Sequence, residues 1–360
     1  MKLFVWPIIL FLTASTGAQK IRVGEAYVQK GHPKRAVGIL TDVLKEPGLK
    51  NDQMARASMA LGLAYLQLQQ PDQAIFYLDK SAFLKPKHEK TWLLMGMAHH
   101  EKDDISGAIE SYMRGVEAQP KSVALHWELG TSLLMADRAN ESVKYLKIAV
   151  KMEPYDAQLW ADLAHAQVRI GAFEEARESG EQAISLNPDS HDAFYTLGDA
   201  WAGLGDREQA RRQYRHAISR EPMFVPALYR LALLAQADEM WGMALGFYAK
   251  TLTIEPDHLR AQGRLQASLA ALKTKPISDQ VSAFEKAISI EEQFMQGYEE
   301  LGELKAQQKE WGAAIAAYKK LATLKRRTAQ INQKIRLWQS EKRKSDAANK
   351  VKPAPSPPTK

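Results

Sequence analysis

The sequence predicts an all-α solenoid of stacked helix pairs, closed at its C-terminal end by a capping helix. Three observations carry this. Proline recurs at 86, 120, 154, 188, 222 and 256, every interval being 34 residues, and a fixed period of about 20–50 residues marks stacked supersecondary units. Apolar residues within a period fall at three- and four-residue spacings, as in Leu129, Leu133 and Leu134 or Tyr145, Leu146 and Ala149, which is helix periodicity. The chain has 360 residues, 45% apolar and 25% charged. That is an ordinary folded composition but a long chain for one compact core, and a repeat array reaches such a length by growing in one dimension.

The N-terminus comes first. Met1 and Lys2 precede an apolar run from Leu3 to Leu12, then Thr13-Ala14-Ser15-Thr16-Gly17-Ala18. One positive charge, a short apolar stretch and small residues at Thr16 and Ala18 are the pattern of a secretory signal, with cleavage near Ala18. The run is half the length of a membrane-spanning helix and Pro7 interrupts it, since a span needs about 20 apolar residues. Residues 1–18 are therefore expected to be a signal peptide, placing the mature chain in the periplasm or outside the cell. The absence of cysteine removes disulfides, thiolate metal sites and cysteine nucleophiles.

The array is expected over 19–328. The segment from Glu89 holds Trp92, Met95-Gly96, Ala108 and Tyr112 before Pro120. That from Ala157 holds Trp160, Leu163-Ala164, Ala176 and Ala183 before Pro188, and that from His191 holds Phe194, Leu197-Gly198, Ala210, Tyr214 and Ala217 before Pro222. Gly96, Gly130 and Gly198 let two helices approach closely, Gly171, Gly205 and Gln70-Pro71 break the chain between helices, and each periodic proline stops a second helix. Nine repeats follow, at roughly 17–54, 55–88, 89–122, 123–156, 157–190, 191–224, 225–258, 259–294 and 295–328. The eighth departs most: Gln266 stands where Gly or Ala is expected, Pro276 lies near its turn, and it is two residues longer.

These landmarks resemble the tetratricopeptide repeat, whose unit has an early large residue, a Leu-Gly pair, a mid-repeat Ala, a later aromatic, another Ala and a closing Pro. The resemblance covers nearly all of the mature chain, points to the exported bacterial members, and implies a right-handed solenoid. Beyond the ninth repeat, Ile331, Ile335 and Trp338 lie on one helical stripe, and a capping helix is expected over 329–345. The Pro- and Lys-rich segment 346–360 is expected to be disordered. From Lys325 to Lys360 the chain carries +9 of its net +7, leaving −2 on the body. The basicity is thus a property of the tail, which reads as a solvated, disordered end or, alternatively, as a weak contact for an anionic envelope surface, and not of a nucleic-acid-binding body.

No phosphate loop, dinucleotide fingerprint, zinc-protease helix or nucleophile elbow occurs. Asp189-Ser190-His191 has triad residue types, but adjacency in sequence is not triad geometry, and Ser190 suits a helix start. His99-His100 beside Asp103-Asp104 suggests a metal site only until helical geometry points adjacent histidines apart. Asn140-Glu141-Ser142 is a glycosylation sequon placed in a turn between helices. No enzyme activity, cofactor or metal is expected.

The resemblance implies that first helices line a concave groove. Mapped residue by residue, its wall is Met59, Leu63 and Leu66, then Leu93, Met97 and His100. It continues through Trp127, Leu134 and Met135, His165 and Arg169, and Tyr195, Asp199 and Tyr229, with Glu299 and Glu303 at the far end. Methionines adapt to varied partners and aromatics anchor them, so a protein or peptide segment is the expected ligand. The family's Lys/Asn/Arg clamp for a C-terminal carboxylate is missing, Leu63 and Met97 standing at clamp positions. The expected function is a non-enzymatic scaffold supporting assembly of an envelope complex, such as a pilus, a secretion system or polysaccharide export. The alternative is a promiscuous peptide-binding chaperone or targeting module.

Overall fold

The computed structural model describes residues 16–325 and 328–351. The expected signal peptide lies outside the described residues up to residue 15. The nineteen helices among the described residues occur without a strand, and the chain divides after Pro188 into two compact units.

The N-terminal unit holds five repeats. Their helices are α1 (Gly17–Gln29), α2 (Pro33–Val43), α3 (Asn51–Gln67), α4 (Pro71–Leu84), α5 (Glu89–His100), α6 (Ile105–Ala118), α7 (Val123–Met135), α8 (Ala139–Met152), α9 (Ala157–Arg169) and α10 (Phe173–Leu186). Each odd-numbered helix packs on the even-numbered helix after it, and α2, α4, α6 and α8 each pack on the next repeat's first helix. Thr16 starts α1 with a capping box: the Gln19 amide donates to Thr16 Oγ1 at 3.4 Å, and Gln19 Oε1 accepts from the Thr16 amide at 2.9 Å. The second repeat begins a turn earlier than expected, at Asn51. The sequon falls on the first turn of α8, with Ser142 buried and its hydroxyl donating to Gly130 O at 2.7 Å.

The C-terminal unit contains α11 (His191–Gly203), α12 (Arg207–Arg220), α13 (Val225–Ala237), α14 (Trp241–Ile254), α15 (Leu259–Leu272), α16 (Ile277–Ile290), α17 (Met295–Gln307), α18 (Trp311–Leu324) and α19 (Ala329–Val351). The sixth, seventh and ninth repeats pair as the first five do. A Cβ built on Gly198 would lie 2.5 Å from Tyr214 Cε1, and one on Gly130 would lie 2.7 Å from Leu146 Cγ. The Leu-Gly glycine is therefore the space that the second helix's large residue fills, as expected for Gly96, Gly130 and Gly198.

The eighth repeat is not a helix pair. α16 packs against α14 of the preceding repeat instead of against α15, and α15 also rests on α14. Two causes are visible. Eight repeats turn between their helices through one residue with positive φ: Gly31, Gln69, Asp103, Asp137, Gly171, Gly205, Glu239 and Lys309. The residue in register in the eighth is Lys273, at φ −60°, and the two extra residues and Pro276 carry the chain away extended instead of folding it back. The second cause lies in α14, where Gly242 and Gly246 face α16. A Cβ on Gly242 would lie 2.7 Å from Ala283 O, and one on Gly246 would lie 2.8 Å from Ile290 Cβ. The two backbones therefore touch where α15 would otherwise have been paired, and Gln266 is left exposed.

α19 caps the ninth repeat. Ile331 and Trp338 are buried, Ile335 packs beside them, and Trp338 meets Tyr318 edge-on at 4.7 Å. The helix runs six residues beyond the expected end. Residues 346–351, placed by sequence in a disordered tail, thus continue it, while 352–360 lie outside the described residues.

Candidate functional site

The surface to test is the row of side chains presented by the first helices. In the N-terminal unit, the Leu-Gly register buries one stripe of each such helix and leaves the residues beside it at the surface. Met97 is 48% exposed and Met135 63%, both large apolar side chains left uncovered. Met59, Leu63 and Leu93 are half-buried and pack against the core, so each presents only an edge. Leu66 and Leu134 are buried core residues and do not reach the surface. The spacing that nominated them also describes the stripe packed between repeats, and α3 and α7 turn them inward. His165 and Arg169 are exposed, and Arg169 Nη2 pairs with Asp137 Oδ1 at 2.6 Å.

His100 Nε2 and Ser132 Oγ lie 2.8 Å apart across the third and fourth repeats. Burial, then the neighbouring His99, lower its pKa. His99 turns elsewhere, its Nδ1 lying 2.8 Å from Asp104 Oδ2, so the adjacent histidines serve different partners. Ser190, in the Asp-Ser-His run, is an N-cap whose hydroxyl accepts from the Ala193 amide at 3.2 Å.

Trp127 donates its indole N–H to Asp162 Oδ2 at 2.7 Å, a contact that joins two repeats and was not anticipated. Glu128 is the second such residue. Burial raises its pKa, the facing Tyr112 hydroxyl opposes this, and Asp162 adds to it. The N-terminal unit therefore sets Asp162 against both Trp127 and Glu128.

In the C-terminal unit, Asp199 accepts from Tyr214 Oη at 2.5 Å and pairs with Arg230 Nε at 3.0 Å. Burial works against the Arg230 charge, yet Asp199 and the Tyr195 hydroxyl hold its pKa above the ordinary guanidinium value. Tyr195 is half-buried against Tyr214 and Phe224 at 5.8 and 5.5 Å, and Tyr229 stacks obliquely on His258 at 4.9 Å. The sequence reading missed Arg230. The signal that would have found it is the 34-residue series Glu128, Asp162, Thr196, Arg230 and Arg264, one residue beyond the positions assigned to the groove. Four of its five members are charged.

Stacked helix pairs with exposed methionines and aromatics on one row of helices define a helical-repeat interaction protein. Family models of the tetratricopeptide repeat match residues 23–89 and 161–206, 89–122, and 192–222. The chain is a tetratricopeptide-repeat protein, and such repeats make it a protein–protein interaction scaffold, a family that is in general non-enzymatic. Among curated proteins it is 36% identical over 62 residues to a Plasmodium falciparum Hsp70-Hsp90 organising protein, covering 17% of this chain and 25% of the relative. It is 26% identical over 170 residues to a Caenorhabditis elegans tetratricopeptide repeat protein 21 homolog, covering 47% of this chain and 12% of the relative. The chain thus spans a quarter or less of the length of these relatives. Among solved structures, the C-terminal part of a repeat-containing protein from Cytophaga hutchinsonii aligns at TM-score 0.54 and 13% identity, over 68% of this chain and 99% of that one. The Cut9–Hcn1 hetero-tetramer of the APC/C aligns at TM-score 0.50 and 18% identity, over 68% of this chain and 47% of that one. Both show the fold alone. No helix among the described residues is long and apolar enough to cross a membrane.

Proposed function

We propose that this chain is an exported scaffold that helps assemble an envelope complex by holding a segment of a partner protein against its first helices. The observation that supports it best is the exposure of Met97 and Met135 on first helices of the same unit in which Asp162 holds Trp127: adaptable apolar side chains and a fixed aromatic on one row of helices suit a bound protein segment. Export rests on the charged, apolar and small-residue pattern of residues 1–18. Cleavage after Ala18 would start the mature chain at Gln19, within the first turn of α1.

Affinity purification from the native envelope tests both parts. The expected result is one stable partner set, lost in Trp127→Ala and in Met97→Ser/Met135→Ser, with the mature chain beginning at Gln19. Many weakly held polypeptides would instead favour a peptide-binding chaperone or targeting module. A partner set unchanged by these substitutions would reject the surface, and a chain retaining residue 1 in the cytoplasm would reject export.

A further inference from the structure

We infer that the N-terminal unit carries a second docking site, on the face opposite its first-helix row, that receives one amphipathic α-helix of another protein. The site is the cleft of about 930 Å³ between α8 and α10, floored by α9. Its apolar lining is formed by Trp160 and Leu163 on the floor and Val150 at the base of the α8 wall. Trp160 is less buried than most residues in register with it: Ser58, Trp92, His126, Phe194, Leu228 and Tyr298 are buried, Trp160 is half-buried, and Gln262 of the irregular eighth repeat is exposed. Its indole N–H donates to Pro154 O at 2.8 Å, which holds the ring in place along the cleft.

The fifth repeat is also built differently beneath this floor. Gly180 stands where the other eight repeats have Leu40, Leu78, Tyr112, Leu146, Tyr214, Tyr248, Phe284 and Tyr318. The buried amide of Gln167 serves the α9–α10 contact instead. Oriented to satisfy its neighbours, its nitrogen lies 2.7 Å from Ser179 Oγ and 3.1 Å from Glu175 O.

The walls select the occupant. α8 contributes Lys147 and Lys151 and α10 contributes Glu175 and Glu178, all exposed. Lys147, Lys151 and Glu175 enter no ion pair among the described residues. Each wall repeats its charge after one helical turn, which is the spacing of side chains on a facing helix. A helix with a large apolar residue for Trp160, one acidic edge and one basic edge satisfies the floor and both walls. It does so in one direction only, because turning it end for end exchanges its edges and sets like charges against both walls. A helix with two edges of one sign meets repulsion on one side.

The test uses the full chain and three fluorescently labelled, stapled helical peptides. All share one Leu/Phe stripe, and their edges are acidic and basic, both acidic, or both basic. The mixed helix is expected to bind about tenfold more tightly than either uniform one, with the preference fading at high salt. Lys147→Glu/Lys151→Glu makes both walls acidic on exposed positions without touching the core, and the order should then change to favour the doubly basic helix. Equal affinities for the three, no binding, or an order unchanged by the substitution would overturn the site. Met97→Ser/Met135→Ser should leave these affinities unaltered, which separates this surface from the first-helix row.

Discussion

Replacing Gly246 by alanine tests the least expected feature of the fold, the packing of α16 on α14. In a regular repeat this position of the second helix is exposed, as Glu110 and Glu178 are. Alanine there would stabilise by about 0.8–1 kcal/mol through helix propensity. In this structure the new Cβ would lie 2.8 Å from Ile290 Cβ and 2.9 Å from Ala287 O. Because the second contact is backbone, the helices themselves must separate, and overpacking of this kind costs about 1–3 kcal/mol. The net expectation is a loss of about 1–2 kcal/mol, or several degrees at about 2–4 °C per kcal/mol for a unit of this size. Gly263 on α15 is the control: nothing lies within 4 Å of its Cβ position, so Gly263→Ala should stabilise by about 1 kcal/mol. Urea unfolding reads both, and hydrogen exchange over 277–290 localises the effect. If Gly246→Ala stabilises as Gly263→Ala does, α16 does not lie on α14 and the account of the eighth repeat is wrong.

Three further outcomes follow from the same geometry. Glu128→Gln should raise the melting temperature at neutral pH. Burial raises the folded-state pKa of Glu128, so its ionised form costs stability that is regained as pH falls through that pKa. The difference between wild type and variant should therefore close on acidification, and a variant less stable at neutral pH contradicts this. Gly171→Ala, at φ +77° with open space around it, should cost about 1–2 kcal/mol. Lys309→Gly, at φ +62°, should gain up to about 1 kcal/mol, so thermal shifts of equal sign would refute the turn assignment. Trp338→Ala, which uncovers Tyr318, should cost about 3–5 kcal/mol, and it should appear as lost exchange protection in α18 and α19 before the rest of the C-terminal unit.

Sequence alone determined the repeat. A 34-residue period, a glycine facing a large residue across most helix pairs and a proline two residues past six of the second helices are local requirements, and each can be read without knowing which repeats touch. The terminal stripe of Ile331, Ile335 and Trp338 was legible for the same reason: helical spacing assigns it one face, and the last repeat leaves one face to cover. Tertiary structure decided what depends on neighbours. Leu66 and Leu134 share their spacing with surface residues, and only the packing of adjacent repeats buries them. Trp127 meets Asp162, and Asp199 meets Arg230, across 31–35 residues of chain, so a reading of one helix at a time passes over them. Pro276 and Gln266 marked the eighth repeat as irregular, but its outcome was set by Gly242 and Gly246 in the repeat before it. Two glycines one turn apart are weak as a local signal, and they become decisive only when a second backbone lies against them.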